Sequence, residues 1–237
     1  MIDTKLRAVI EENLSVILNY DPYKKFEGIK TTADFAALLR NDPAFAPFFL
    51  YQPKYITARI GGNLITSLHR KLGDLYEELF KVLLREKLNV PESDLEYAVD
   101  IRVNGETQQR STDGLIRFVD YSGTDQTRLS QFAAIEDAVG MAFEVRSCYQ
   151  IGDSKRIQAD RDLALNLKHD RIEPIMLIFC VTSLPSPVRR LSNYWNVYEG
   201  KNAFDFVYEL TQFNLYEFLR QERGTIKKLM DSIFEMM

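Results

Sequence analysis

The sequence is poor in the residues on which many metal and nucleophile chemistries depend. Of 237 residues, two are histidine, His69 and His169, and two are cysteine, Cys148 and Cys180. So little histidine argues against a histidine-rich metal centre and against a serine-type triad. The cysteines lie in or beside runs that read as buried strands. They are expected to be reduced core thiols of a cytoplasmic protein rather than a disulfide or a thiolate metal site. Long apolar runs are missing too. The longest, residues 175–181, suits a buried strand and falls far short of a bilayer span. Residues 1–7 mix charges without an apolar stretch, so no signal peptide is expected. Nor is there an excess of positive charge: 30 Lys and Arg against 34 Asp and Glu leave a formal net charge of −4. That disfavours a nonspecific nucleic-acid coat, which needs a strongly basic face. It leaves room for an enzyme that gathers carboxylates round a metal and keeps a local basic rim. No internal repeat or low-complexity tract is present.

What is present is an ordinary core-forming composition, 46% apolar, in a chain long enough for one full-sized domain. Leu6, Ile10, Leu14 and Ile17 recur at helical spacing and predict a helix over residues 2–19. Thr31 or Thr32 offers an N-cap to a second helix, residues 33–40. Residues 43–55, rich in Pro, Phe and Tyr, read as an aromatic-anchored loop. Gly61-Gly62-Asn63 then precedes a long helix over 64–88, with Gly73 inside it at a point of close packing. On that helix Glu77 shares a face with Gly73, whereas Glu78 reads as solvated. Three strands are predicted next, over 95–103, 115–119 and 141–147. Asn104-Gly105 gives the strongest hairpin signal. Residues 121–135 read as a loop. Asp153 and Ser154 can cap a helix over 155–168, Pro174 introduces a fourth strand over 175–181, and residues 203–237 are helical, divided at Gly224. The order predicts an α/β fold: a central mixed sheet flanked by helices, with additional N- and C-terminal helices. Within a single domain, residues 1–60 form a helical addition, 61–182 the core, and 183–237 helices for recognition or dimerisation.

The chemistry centres on Thr112-Asp113-Gly114 and on Phe143-Glu144-Val145-Arg146-Ser147. Asp113 stands at the entry to one strand and Glu144 inside another. Arg146 lies two positions after Glu144 and therefore on the same strand face. Two carboxylates on neighbouring strands can hold a hard divalent ion with coordination positions open, which is what phosphodiester hydrolysis needs. Read alone, Asp113-Gly114 would be a turn.

The combination resembles the PD-(D/E)xK nuclease superfamily over roughly residues 64–182. The match runs through Glu77 on a helix, Thr112-Asp113-Gly114, Glu144-Val145-Arg146, the helix at 155–168 and the strand at 175–181. It is most similar to type II restriction endonucleases, of the ApaLI-like group, through residues 70–77 and 147–156. The resemblance implies an α/β restriction-endonuclease-like core and a Mg2+ ion bound by Asp113 and Glu144. Glu77 would assist the metal or water. The usual lysine position holds Arg146, which keeps the charge but cannot act as a base. Three readings follow: Arg146 substitutes electrostatically, Lys155 reaches back from the next helix, or the chain is weakened or inactive.

The implied substrate is double-stranded DNA cut at a short, palindromic sequence by a homodimer. The enzyme would act in a prokaryotic cytoplasm, with no membrane and with a DNA methyltransferase as genetic partner. A structure-directed repair nuclease and a non-catalytic DNA-binding relative are the alternatives. Base edges could be read by Arg189, Arg190, Ser192 and Asn193, or by Gln108, Gln109 and Arg110; for both groups a plain solvated loop is the competing reading. Lys155 and Arg156 are candidate phosphate contacts at a helix start. Aromatic residues of the C-terminal helices, such as Phe204, Phe206, Tyr208 and Tyr216, suit either a dimer interface or the core.

Overall fold

In the computed structural model the described residues are 1–103, 106–150 and 154–236. Helix α1, Ile2–Leu18, buries the predicted stripe Leu6, Ile10, Leu14 and Ile17. Helix α2, Thr32–Asn41, starts at Thr31, whose hydroxyl accepts from the Asp34 N–H while the Asp34 carboxylate accepts from the Thr31 N–H. That reciprocal box satisfies donors that a helix start leaves open. Helix α3, Pro53–Leu88, begins eleven residues before the expected start and runs straight through Gly61-Gly62. Two mid-helix glycines cost about 1 kcal/mol each. Burial of Ile56, Leu64 and Leu68 at four-residue spacing outweighs that cost. Proline at the first position suits a helix start, since its missing N–H would have had no partner there.

Pro91–Asp94, expected as a turn, opens the short helix α4, Glu92–Leu95. Strands β1, Ala98–Val103, and β2, Glu106–Ser111, pair antiparallel as a two-stranded sheet. The hairpin expected at Asn104-Gly105 lies outside the described residues, as does Asp153. β2 is polar throughout and gave no strand signal; its partner β1 supplies the ladder. Strand β3, Leu115–Arg117, is shorter than expected because residues 118–120 turn into a 3-10 helix. The expected loop that follows holds helix α5, Gly123–Ser130, anchored by buried Leu129. Strand β4, Gly140–Arg146, helix α6, Ser154–His169, and strand β5, Ile172–Ile178, come next. Pro174 lies inside β5 rather than ahead of it. Helix α7, Pro185–Leu191, leads to strand β6, Asn196–Glu199. Because β6 pairs with β5 only from Ile175 onward, Pro174 sits where that strand has an open side. The expected C-terminal pair of helical segments is three helices: α8, Lys201–Thr211; α9, Leu215–Gln221; and α10, Arg223–Phe234. Gly224 falls in the first turn of α10 instead of dividing the region.

The main sheet has the order β3-β4-β5-β6, with β3 antiparallel and the rest parallel. This is the expected mixed α/β sheet flanked by helices. The chain divides into two compact units. One comprises residues 1–6 and 73–221; the other comprises 7–72 and 222–237. In the first, Phe80 of α3 and Phe206 of α8 pack edge-on against Phe143 of β4. A separate cluster joins α6, α7 and β1 to the sheet through Ile101, Ala142, Leu167, Met176 and Leu191. In the second, Tyr23, Phe35, Leu39 and Ile56 form a small core. Among the described residues, no helix is long and apolar enough to cross a membrane.

Cys148 and Cys180 correct one expectation: they are joined as a disulfide, with Cα atoms 5.2 Å apart. The reason lies in the register. β4 pairs with β5 as Arg146↔Ile178, so two residues further on each chain the cysteines come opposite one another. Their sequence separation of 32 hid this. Denatured without reductant, the protein is expected to titrate no free thiol, and two after reduction. Two thiols in the untreated, freshly purified protein would contradict the bond.

Candidate active site

The site is built where β3 begins beside the middle of β4. The Phe143 N–H donates to the Gly114 carbonyl (2.9 Å), while the Asp113 N–H donates to the Phe143 carbonyl (2.8 Å). Two residues, Asp113 and Gly114, thus stand against one, which is a β-bulge. The bulge re-aims Asp113, whose Oδ2 accepts from the Val145 N–H at 2.7 Å. Gly114 is required there. Its φ is +143°, and a Cβ would come within 2.5 Å of Leu84 Cδ1. The dipeptide that reads alone as a turn is therefore the joint that turns a carboxylate into the sheet.

Glu144 lies in the inner strand β4, among Met141, Ala142, Phe143 and Val145, and is only 4% exposed. A buried carboxylate costs several kcal/mol unless paired. Arg146, on the same face, pairs with it. The same guanidinium donates through Nη1 to the Val145 carbonyl at 3.0 Å and lies 3.9 Å from Asp113 Oδ2. Its Nε is buried without a partner among the described residues.

Helix α3 supplies two more groups. Glu77 is partly buried and its charge acts on Asp113. Glu78 is exposed, as expected. Lys81, one turn beyond Glu77, was not singled out in the sequence. Its side chain is 8% exposed and donates to Glu77 at 2.7 Å and to Glu96 at 3.0 Å. Burial pushes the Lys81 ammonium down, but its hydrogen bonds to Glu77 and Glu96 overcome this and raise it above the ordinary value. The signal was available: a lysine four residues after the candidate glutamate, among Leu79, Phe80, Val82 and Leu83, all of which are buried. For Gly73, the nearest neighbour to a would-be Cβ is Ser147 Oγ at 4.0 Å, an ordinary contact with the end of β4.

Burial, followed by the Glu77 charge, pushes the Asp113 carboxyl up to about 7; Arg146, the Val145 N–H and Lys81 pull it back. Other buried acids carry structural duties. Glu173 accepts from the N–H groups of Ala134 and Ile135 (2.7 and 2.8 Å), Asp160 accepts from the Tyr149 hydroxyl (2.8 Å), and Asp94 pairs with Arg117 (3.0 Å). Asp113 and Glu144 differ in sharing one guanidinium.

The remaining candidates lie elsewhere. Lys155 and Arg156 are exposed on the first turn of α6, and Lys155 is not among the main charges acting on Asp113. Gln108, Gln109 and Arg110 are exposed on β2. Arg189 and Arg190 are exposed at the end of α7, with Ser192 and Asn193 just beyond; the Ser192 hydroxyl donates to the Arg189 carbonyl. Of the C-terminal aromatics, Phe206 and Phe218 are buried in the first unit, whereas Tyr208 and Tyr216 are about half exposed.

Among the described residues, no three His, Cys, Asp or Glu side chains converge as a metal-holding group. Asp113 and Glu144 nevertheless offer hard oxygen donors in one place. Two carboxylates completed by water and a substrate phosphate are a usual set for magnesium, which keeps several of its waters. The donors fit such an ion. No family model matches the chain, and neither a curated protein nor a solved structure matches it.

The charge environment of Asp113 is open to measurement. By carboxylate NMR, Glu77→Gln is expected to lower the Asp113 pKa from about 7 and Lys81→Met to raise it; unchanged values would place neither group beside it. Because the folded value lies above the unfolded one, Asp113 favours the fold below about pH 4, and that contribution is lost as pH rises through about 7. Asp113→Asn should therefore gain stability relative to wild type across that window, by at most about 1.4 kcal/mol per pH unit. Thermal midpoints at pH 4 and pH 8 check this, and parallel midpoints would count against it.

Proposed function

We propose that this chain is a magnesium-dependent endonuclease that hydrolyses phosphodiester bonds of double-stranded DNA at a short specific sequence. The observation that carries the reading is the buried pair Asp113 and Glu144 sharing one cation, with Glu77 acting on Asp113. Asp113 and Glu144 would hold the ion. When bound, magnesium supplies a Lewis acid and lowers the pKa of a coordinated water.

The protein's own groups do the rest. Glu77, fixed by Lys81, adds negative charge beside Asp113 and so strengthens the attraction of the site for a divalent cation. Lys81 is a positioning residue: it holds Glu77 through a 2.7 Å bond. Arg146 presents a planar, permanently charged fork that suits a phosphate. It offsets charge developing on the phosphate and leaving oxygen. This favours Arg146 over Lys155 as the cation of the site. A homodimer would fit cleavage of a palindrome.

One observation favours a second reading. Arg146 already neutralises Glu144, and a chain in which that pairing persists would bind DNA without cutting it.

A digest of sequenced supercoiled plasmid with magnesium, mapped at the ends, separates the two. Discrete fragments with defined ends are expected, lost in Asp113→Ala and Glu144→Ala while the circular dichroism spectrum is retained. Full cleavage by either variant would falsify the assignment, and binding without cleavage by wild type would favour the second reading. Arg146→Ala is expected to lower kcat by about 10²-fold, whereas Lys155→Ala should alter affinity rather than kcat. The reverse outcome would make Lys155 the catalytic cation.

A further inference from the structure

The second unit, residues 7–72 with 222–237, carries a groove of about 720 Å³ that the proposed chemistry does not use. Lys24, Lys25, Arg59, Arg70 and Lys71 line it, and Asp21 is its one carboxylate. Five cations against one anion stand out in a chain whose formal net charge is −4. The Asp21 carboxylate is already engaged, accepting from the Tyr23 N–H at 2.8 Å. Among the described residues, no carboxylate forms an ion pair with Lys24, Lys25 or Arg70, and all three are exposed.

Arg59 is held more firmly. Its guanidinium lies over the rings of Phe35 (5.1 Å) and Phe45 (5.8 Å), and its Nη1 is buried without a hydrogen-bond partner among the described residues. Arg59, Asn63, Thr66, Ser67 and Arg70 share one face of α3, by the three- and four-residue spacing of a helix. The eleven helical steps from Arg59 to Arg70 span about 16 Å. Positive charge is spread along that length instead of converging on a point, which suits a polyanion better than a single phosphate. One DNA strand carries about one phosphate per 3.4 Å of axis, so the stripe faces about five of them. Between the two arginines the Asn63 amide and the Ser67 hydroxyl can donate to phosphate and sugar oxygens in the same track, whereas the Thr66 hydroxyl already donates to the Gly62 carbonyl at 2.9 Å.

We propose that this groove binds the phosphate backbone of duplex DNA, as a sequence-independent contact outside the cleavage site. The choice of DNA rests on the nuclease reading; the charge argument for a phosphodiester polyanion does not. The groove would hold the substrate, with specificity left to other residues.

The test uses the full chain and a fluorescein-labelled 30-base-pair duplex, read by anisotropy without magnesium between 50 and 250 mM salt. In Lys24→Gln/Lys25→Gln/Arg70→Gln, affinity at 100 mM salt is expected to fall by at least about tenfold. The slope of log affinity against log salt should lose about 2 to 3, because each lost phosphate contact removes about 0.9. Removing three cations elsewhere, by Lys201→Gln/Lys227→Gln/Lys228→Gln, should leave the slope unchanged. Cleavage by the groove variant at saturating duplex should keep its kcat. Equal slopes in wild type and the groove variant, or an equal loss in the control variant, would overturn the groove. So would binding to phosphatidylserine vesicles in place of duplex. If wild type binds with the full slope but never cleaves with magnesium, the groove stands and the nuclease reading fails. If it cleaves while the groove variant binds normally, the nuclease reading stands and the groove fails.

Discussion

A carboxylate inside a sheet must be answered by a cation or by N–H donors, and the cation that answers Glu144 organises the first unit. Glu144 sits in β4 between apolar layers, where an unpaired charge would weigh heavily against folding. Arg146, two residues on, answers it from the same strand face. A lysine there could offer one compact charge. The guanidinium offers a fork that meets Glu144, reaches the Val145 carbonyl and stays within 4 Å of Asp113. The residue that looked out of place in the sequence is thus the counter-ion that lets both carboxylates be buried. Its neighbours follow from it: the bulge at Asp113-Gly114 brings the second carboxylate in, and Lys81 prevents Glu77 from being one negative charge too many.

Much of this was legible in the sequence, and the gaps have physical causes. Helices with one buried stripe, such as α1, were visible because burial has the period of the helix. Strands β4 and β5 were visible as nearly continuous apolar runs. β2 was not, since a polar strand is specified by its partner and leaves no pattern of its own. β6 was not, because a four-residue edge strand is too short to show a period. α3 was truncated because two glycines were weighed by their propensity, whereas tertiary burial decided the matter. Asp113, Glu144 and Arg146 could be proposed from strand alternation. Lys81 was half legible: its place four residues after Glu77 was in the sequence, whereas its bond to Glu96 depends on the two meeting in space. The cysteine pair depended on the register between β4 and β5, which spacing does not reveal.

Net charge misleads in the same way. A sum of −4 taken alone argues against contact with a polyanion, yet a sum hides how charge is divided over the surface. Carboxylates collect at the candidate active site and elsewhere, while in the groove on the second unit Lys24, Lys25 and Arg70 have no ion-paired carboxylate among the described residues. A protein of this kind can be acidic overall and still offer a basic track where one is needed. Ionic strength would govern such a track much more than it governs the buried site, where screening by salt is weak.

The disulfide also gives the chain a closed loop. The backbone from Cys148 to Cys180, completed through the sulfur atoms, is a ring that contains all of α6 and β5. A protease that cut once inside this ring would open it without releasing either piece. The nicked protein would keep its full mass until a reductant was added and would then separate into two fragments. The strand that carries Glu144 and Arg146 would lie in the N-terminal fragment, and its parallel neighbour β5 would remain tethered to it wherever between Cys148 and β5 the cut fell.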